Sequence, residues 1–409
     1  MGGAGQSDEH ERRVRRSSAN VTAGESEATG GKQKGKARVG DDRGSSVFVI
    51  GGGPAGLAAS IAARKKGFSV TVADGGEPAI DKACGEGMMP GTQDALKQLG
   101  VEVPSHLGYR FRGIRLVQEG TQVSADFPEG QGIGIRRTLL HELLIREAQQ
   151  CGVKLLWRTP VAGISKDGVR VERGVIPARW IVGADGAQSR VRRWSDLEST
   201  VVNSHRRASR RHYRVRPWSQ FTEIHWGPQA QAYVTPISGQ EVCIVTVAES
   251  AEHANFERAL EVLPELRARL ADAELCSRER GAITATQSLA RVWRDNVALL
   301  GDASGGVDAI TGEGLRLAFR QAQALAEALH AGDLREYGRV HKQLARRPLW
   351  MGRMMLQLGR YKALRTRTLR MFQDKPGSFA RLLAIHVGWA SSREVVNTGA
   401  QLGWQLLAG

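Results

Sequence analysis

A continuous apolar run, Val47-Phe48-Val49-Ile50, leads directly into Gly51-Gly52-Gly53-Pro54-Ala55-Gly56, and no other stretch restricts the fold of this chain as strongly. Four successive apolar residues read as a strand buried on both faces of a parallel sheet. An alanine-rich stretch to about residue 66 then reads as a helix, and Ser69 to Ala73 as a second strand closed by Asp74. With 49 glycines in 409 residues, chance alone supplies about 0.7 matches to G-x-G-x-x-G, so the flanking elements decide its meaning. In this setting Gly51 permits the tight turn, Gly53 lets backbone approach a pyrophosphate, and Gly56 lets helix pack on strand. The helix N-terminus offers unpaired N–H groups and a positive dipole end to phosphates. Asp74 stands where ribose hydroxyls would donate to it. The competing reading is a glycine-rich turn that binds nothing.

Two further strand ends carry a similar signal. Trp180-Ile181-Val182 runs into Gly183-Ala184-Asp185-Gly186, with Ser189, Arg190 and Arg192 behind it, and Val297 to Leu300 runs into Gly301-Asp302-Ala303-Ser304. Each Asp/Gly pair alone is ordinary turn chemistry; three such elements in this order are not. Together with Cys84-Gly85-Glu86-Gly87-Met88-Met89-Pro90 and the run from Gly301 to Gly314, they resemble the flavoprotein aromatic hydroxylases and geranylgeranyl reductases. The resemblance spans about residues 45 to 390.

That resemblance implies FAD as cofactor and NADPH or NADH as reductant. It implies that Asp302, after Gly301, bonds the ribityl or ribose part of FAD, and that Asp185 supports the pyrophosphate region and nicotinamide use. Arg137 resembles the family's FAD-contacting arginine, and Arg136 beside it is not separable from it in sequence. Thr311-Gly312-Glu313-Gly314 would pass the flavin's pyrimidine edge, where a helix N-terminus stabilises negative charge on the reduced ring. The family usually has proline where this chain has Ala309, which loosens that loop. The loop after Cys84 resembles a mobile flavin-side segment, and the thiol itself reads as inert.

The expected fold is α/β: a Rossmann-type FAD-binding fold with an interleaved antiparallel β substrate domain and a helical C-terminus. Residues 1–44 lack large apolar side chains and read as a disordered tail. The FAD-binding fold would span 45–330, with the substrate sheet at about 105–135 and 195–290, and 331–409 would be helical. Tyr213, Trp218, Phe221, Trp226 and Tyr233 are candidates to line the substrate pocket, against plain sheet packing.

The net charge of +16 is concentrated. Residues 332–409 hold 14 Lys/Arg against 4 Asp/Glu, and Arg206, Arg207, Arg210, Arg211, Arg214 and Arg216 form a cluster without an acid from 201 to 222. No nucleic-acid-binding motif accompanies it, so the expectation is a solvated face, anionic lipid or an acidic substrate. The stretch from Leu349 to Phe379, with Trp350, Met351, Met354, Met355, Leu356, Leu358 and Leu364 beside Arg346, Arg347, Arg353, Arg360, Lys362, Arg365, Arg367 and Arg370, reads either as an amphipathic surface for an anionic bilayer or as core-packed helices with a basic rim. No run of 18 uncharged apolar residues and no signal-peptide core is visible, which points to a cytoplasmic protein with peripheral membrane contact at most. Cys84, Cys151, Cys243 and Cys276 are isolated and the histidines have no ligand spacing, so no metal is expected.

The first functional expectation is a monooxygenase that uses NAD(P)H and O2 to hydroxylate an aromatic, phenolic or lipid-like substrate; no catalytic acid or base is identifiable. An isoprenoid-reducing flavoenzyme is the alternative, and a non-catalytic flavin-fold lipid-binding protein is the third.

Overall fold

The computed structural model describes residues 46–198 and 200–389, and of 200–205 the backbone alone. The expected N-terminal tail lies outside the described residues. The central sheet places its parallel strands in the order Lys154–Leu156, Ser69–Ala73, Ser46–Ile50, Trp180–Gly183, Val297–Leu299, with short Trp293–Arg294 antiparallel at the far edge. Along the chain the parallel strands therefore lie 3-2-1-4-5, the doubly wound order that reverses between Ser46–Ile50 and Trp180–Gly183. Both faces of the first strand are buried. Val47 and Val49 pack with Leu57, Leu144 and Phe319 of helices Pro54–Lys65, Arg137–Gln150 and Gly314–Ala331. Phe48 and Ile50 pack the other way, with Val169, Ile181 and Leu299. Each such Val, Ile, Leu or Phe contributes about 1.5–3 kcal/mol on burial.

The second sheet has eight strands. Thr200–Arg214, Glu241–Ala248, Ala230–Pro236 and Phe221–Trp226 pair antiparallel in that spatial order, and Gly113–Gln118 joins parallel to Phe221–Trp226. Tyr109–Phe111 and Gly132–Gly134, expected in this sheet, form a separate three-stranded one with Gly87–Met88. Part of the segment expected as a mobile loop is thus held in backbone pairing.

Period-2 alternation gives the large sheet two chemistries. Tyr213, Val234, Val242 and Ile244 pack beneath helices Phe256–Glu261 and Pro264–Arg269. On the opposite face lie Arg206, Ala208, Arg210 and His212, with Cys243, Val245 and Val247 across the pairing. The arginine cluster is therefore a solvated face only in part: Arg207, Arg214 and Arg216 are exposed, whereas Arg206 and Arg210 are buried. Arg206 pairs with Asp308, Arg210 with Asp81, Arg211 with Glu257 and Glu279, and Arg214 with Glu274.

Helices Leu334–Arg360, Lys362–Asp374 and Pro376–Val387 close the described chain. Their apolar residues Met351, Leu358, Leu369, Phe372 and Leu382 are buried against Leu116, Val123, Ile224 and Trp226 of the large sheet. Most of the apolar face offered to a bilayer in the sequence reading packs into this core, while Trp350 stays exposed. No helix among the described residues is long and apolar enough to cross a membrane.

Candidate functional site

The three glycine/aspartate motifs start at one level because their strands pair in parallel register: Ile50 lies opposite both Ala73 and Gly183, and Gly183 opposite Leu299. Gly51, Asp74, Asp185 and Asp302 follow these residues, so all four stand along the carboxyl edge of the sheet at the order reversal. Crevices of this kind bind nucleotides.

Only glycine fits two positions of the first motif. Gly51 has φ 110, and a Cβ there would stand 2.4 Å from the Ala184 carbonyl oxygen; a Cβ on Gly56 would stand 1.9 Å from that of Gly51. Gly53 differs: its Cβ would meet nothing within 4 Å. Helix Pro54–Lys65 has no side-chain cap and no acid in its first turn, so open space and a positive helix end coincide in front of Gly53. Gly314 repeats the pattern at the start of helix Gly314–Ala331, which also lacks a side-chain cap and first-turn acid. Gly312 supplies the left-handed residue, φ 63, that turns the chain into it. Gly301 has φ 59 and packs against Ala55, which brings the third motif beside the first helix.

The aspartates differ in what they hold. Asp74 accepts from the amides of Gly52 and Gly76, both at 2.7 Å, so it shapes the turn and keeps further lone pairs for hydroxyls. Asp185 accepts from Ser189 Oγ at 2.5 Å and from the amides of Arg190 and Val191 at 2.7 and 3.1 Å. Its carboxylate organises the start of the short helix Arg190–Trp194. Asp302 is exposed at the surface, yet the protein around it pushes its carboxyl up by desolvation, against the opposing pull of Arg137 and Lys82.

Arg136 and Arg137, inseparable in sequence, turn to opposite sides. Arg136 is engaged by Glu241 at 3.0 Å and by His212 Nδ1 at 2.7 Å, on the side of the large sheet. Its guanidinium is engaged there by Glu241 and His212, not by Asp302. Arg137 faces Asp302, and its buried Nε has no protein partner. An orphaned buried donor, two uncapped helix starts and the open space before Gly53 and Gly314 form a donor set suited to an anionic dinucleotide.

Sequence reasoning missed several residues of this frame. His141 is fully buried; its Nδ1 accepts from the Ile80 amide at 3.2 Å, so Nε2–H donates to the Gly52 carbonyl at 2.7 Å. Burial lowers its pKa and keeps it neutral. Arg192 reaches the carbonyls of Ala187 at 2.7 Å and Ala303 at 3.4 Å, tying the second motif to the third. Lys82 stands beside Gly186 and Asp302. The spacing of Arg137 and His141 on one helix was the available signal for the histidine; the others had none.

The five aromatic residues proposed to line a pocket do not converge. Tyr213 and Trp218 belong to the helix-covered face, and Phe221 is stacked by Arg112 and Arg115. Trp226 is buried under the C-terminal helices. Tyr233 remains on the face toward the crevice, packed against Ala208, Ile237, Cys243, Val245 and Val247. His212 and His225 are buried sheet residues, paired with Glu86 and Glu223.

Known proteins share this arrangement. The chain is 27% identical over 324 residues to menaquinone reductase from Mycobacterium tuberculosis, covering 72% of this chain and 78% of that protein. Digeranylgeranylglycerophospholipid reductase 1 from Methanothermobacter thermautotrophicus is 26% identical over 330 residues, with coverage of 73% and 82%. A flavoprotein/dehydrogenase from Cytophaga hutchinsonii superimposes with a TM-score of 0.75 at 18% identity, covering 89% and 99% of the two chains. A 2-methyl-3-hydroxypyridine-5-carboxylic acid oxygenase superimposes at 0.64 with 21% identity, covering 77% and 92%. The family model described as an FAD binding domain matches residues 44–336, the stretch that holds every motif above. The chain is thus an FAD-dependent oxidoreductase of the FAD-binding-domain family, and the crevice with Gly53, Arg137, Asp302 and Gly314 lies within the matched residues.

Proposed function

We propose that this flavoenzyme saturates carbon–carbon double bonds in an isoprenoid chain carried by a lipid. The observation that carries this reading is the naming of the sequence relatives. Those matching 72–73% of this chain are called reductases, and their named substrates are a quinone and a glycerophospholipid with isoprenoid chains. This reverses the order of the two enzyme readings taken from sequence alone.

The chain's own residues suit the task. Pyrophosphate oxygens would meet the helix start at Gly53, ribose hydroxyls Asp74, and the ribityl region Asp302 with Arg137. Gly312 and Gly314 would bring a helix N-terminus to the flavin's pyrimidine edge, where it favours the reduced, negatively charged ring. Bound FAD supplies the hydride chemistry, with NADPH or NADH as reductant. Ala208, Val245, Val247, Ile237 and Tyr233 would offer an apolar surface to a hydrocarbon chain and exclude water from it.

A lipid substrate calls for a membrane surface, and the exposed side of helix Leu334–Arg360 fits one. Lys342, Arg346, Trp350, Arg353 and Arg360 are all exposed along it. Trp350, Tyr361 and Trp389 are three of the six exposed large hydrophobic residues among the described residues, and aromatic rings among cations suit the headgroup region. Each cation near an anionic surface contributes about 1 kcal/mol, so flotation with anionic vesicles should be strong at low salt and weak at high salt. No flotation at low salt would refute the surface.

Hydroxylation of a phenol with O2 is the second reading, favoured by the fold shared with the oxygenase. Product mass separates the two: a gain of about 2 per reduced bond, or of about 16 with coupled O2 consumption. FAD-loaded protein with NADPH or NADH, offered menaquinone-type and phenolic substrates in turn, tests both. A gain of 16 without any gain of 2 would overturn the reductase reading.

A further inference from the structure

Among the described residues, five non-glycine residues have a left-handed backbone: Glu86, Glu119, Arg158, Asp196 and Asp295. The last four are exposed. Glu86, at φ 58, is 4% exposed. It lies between Gly85 and Gly87, where a third glycine would satisfy the backbone without steric cost. Burying a carboxylate adds a desolvation cost unless it is fully bonded. A residue that opposes both tendencies points to a task for its side chain.

The carboxylate joins two layers. Oε1 accepts from the Arg137 amide at 2.9 Å, and Oε2 accepts from His212 Nε2 at 2.7 Å. Helix Arg137–Gln150 has no cap of its own: Arg136 at its N-cap makes no capping bond, and its first turn has no acid. Glu86 supplies from a remote loop both the missing acceptor and the negative charge that a helix start favours. His212 holds the second oxygen. Its Nδ1 faces Arg136 Nη1 at 2.7 Å, while Arg210 Nη1 lies near both ring nitrogens, 2.9 Å from Nδ1 and 3.1 Å from Nε2, so Arg136 is the contact that distinguishes them. A guanidinium only donates, so Nδ1 accepts and the ring proton sits on Nε2, directed at Glu86. Arg210 in turn is held by both oxygens of Asp81, at 2.7 and 2.8 Å.

Glu86, His212 and Cys243 also lie close enough to hold a metal ion. The two guanidiniums against His212 would repel a cation, and burial with the Glu86 charge pushes the Cys243 thiol well up, away from the thiolate a metal needs. The cluster is built around an anion, not a cation.

We propose that Glu86 is a positioning residue for the FAD site: its carboxylate caps helix Arg137–Gln150 and thereby sets Arg137, whose Nε has no protein partner, toward the cofactor beside Asp302. The proposal rests on the reading of Arg137 as an FAD contact. FAD would be removed and rebound, and its Kd read from flavin fluorescence for wild type, Glu86→Gly, Glu86→Gln, Arg137→Ala and the Glu86→Gly/Arg137→Ala double variant, with a thermal melt of each apoprotein. Glu86→Gly should raise the Kd at least about tenfold, the loss expected for one charge-assisted bond. Glu86→Gln keeps an acceptor for the Arg137 amide and should recover part of the affinity. The double variant should bind no more weakly than the worse single one, because Glu86 acts through Arg137. Wild-type affinity in Glu86→Gly, or a double variant showing the product of both single losses, overturns the proposal. If Arg137→Ala alone binds FAD normally, the reading of Arg137 falls first and the proposal with it.

Discussion

The pair Arg206–Asp308 joins the large sheet to the loop that enters Gly312–Gly314, and removing one partner should reveal how much that junction holds. Arg206 is 4% exposed and Asp308 fully buried. Arg206 binds both carboxylate oxygens, with Nε to Oδ2 at 3.1 Å, and Nη1 donates to Gln231 Oε1 at 3.0 Å. Asp308 Oδ1 also accepts from the Ile310 amide at 3.0 Å, which caps the turn Ala309–Thr311. Arg206→Met keeps the apolar bulk and leaves Asp308 as a buried, unpaired charge. Breaking such a pair costs about 3–5 kcal/mol, a large share of the roughly 5–15 kcal/mol that a folded domain has in total. Removing the charge as well should restore most of this, because replacing a whole buried pair is often close to neutral. Asp308→Asn is the partner change, since the amide oxygen still caps Ile310. Urea unfolding of the apoproteins, followed by tryptophan fluorescence, reads both effects. Arg206→Met with Asp308→Asn should unfold near the wild-type midpoint and Arg206→Met alone far below it. A double variant as unstable as the single one would refute the argument, because the loss would then come from packing around Arg206 and not from its charge.

Gly53→Ala should fold with unchanged stability and bind FAD at least about tenfold more weakly, whereas Gly56→Ala, with its Cβ 1.9 Å from the Gly51 oxygen, should fail to give folded protein; equal behaviour in melting and flavin titration would contradict the cradle. Asp302→Ala should purify folded but largely colourless, and full flavin absorbance would refute its placement. A chain starting near Gly44 should keep its flavin and its rate of NAD(P)H oxidation. His341, pushed down to about 4 by burial and hydrogen-bonded to Ser304 at 2.8 Å, stays neutral in the fold while the unfolded chain takes up a proton near pH 6.5. Its contribution is complete above that pH and is lost as pH falls toward 4, about 3 kcal/mol in all. His341→Gln should therefore show a smaller drop in urea midpoint between pH 7.5 and 5 than wild type, and an equal drop would discount His341.

What could be read in the sequence divides by the distance over which each residue acts. Gly51 and Gly56 announce themselves because the clash that excludes a side chain arises within the same turn, and Asp74 because it ends a strand two steps from the amide it binds at Gly76. The apolar run at Val47 names a two-sided parallel strand for the same local reason. Charges behave otherwise. The cluster from Arg206 to Arg216 has no acid near it in the chain and read as a solvated face, yet its buried members meet Asp81, Glu86 and Asp308, brought from other layers by the sheet. The amphipathic stretch from Leu349 left both a bilayer surface and a core helix open, because periodicity reports that one face is apolar but not what covers it; the edge of the large sheet covers most of it. Arg136 and Arg137 are neighbours, but a helix start turns successive side chains apart, so one ends among Glu241 and His212 and the other before Asp302. Glu86 is the extreme case. In sequence it is a glutamate in a glycine turn, the setting of an exposed loop, and only the paths of the helix at Arg137 and the strand at His212 make it an acid shared by that helix start and the large sheet.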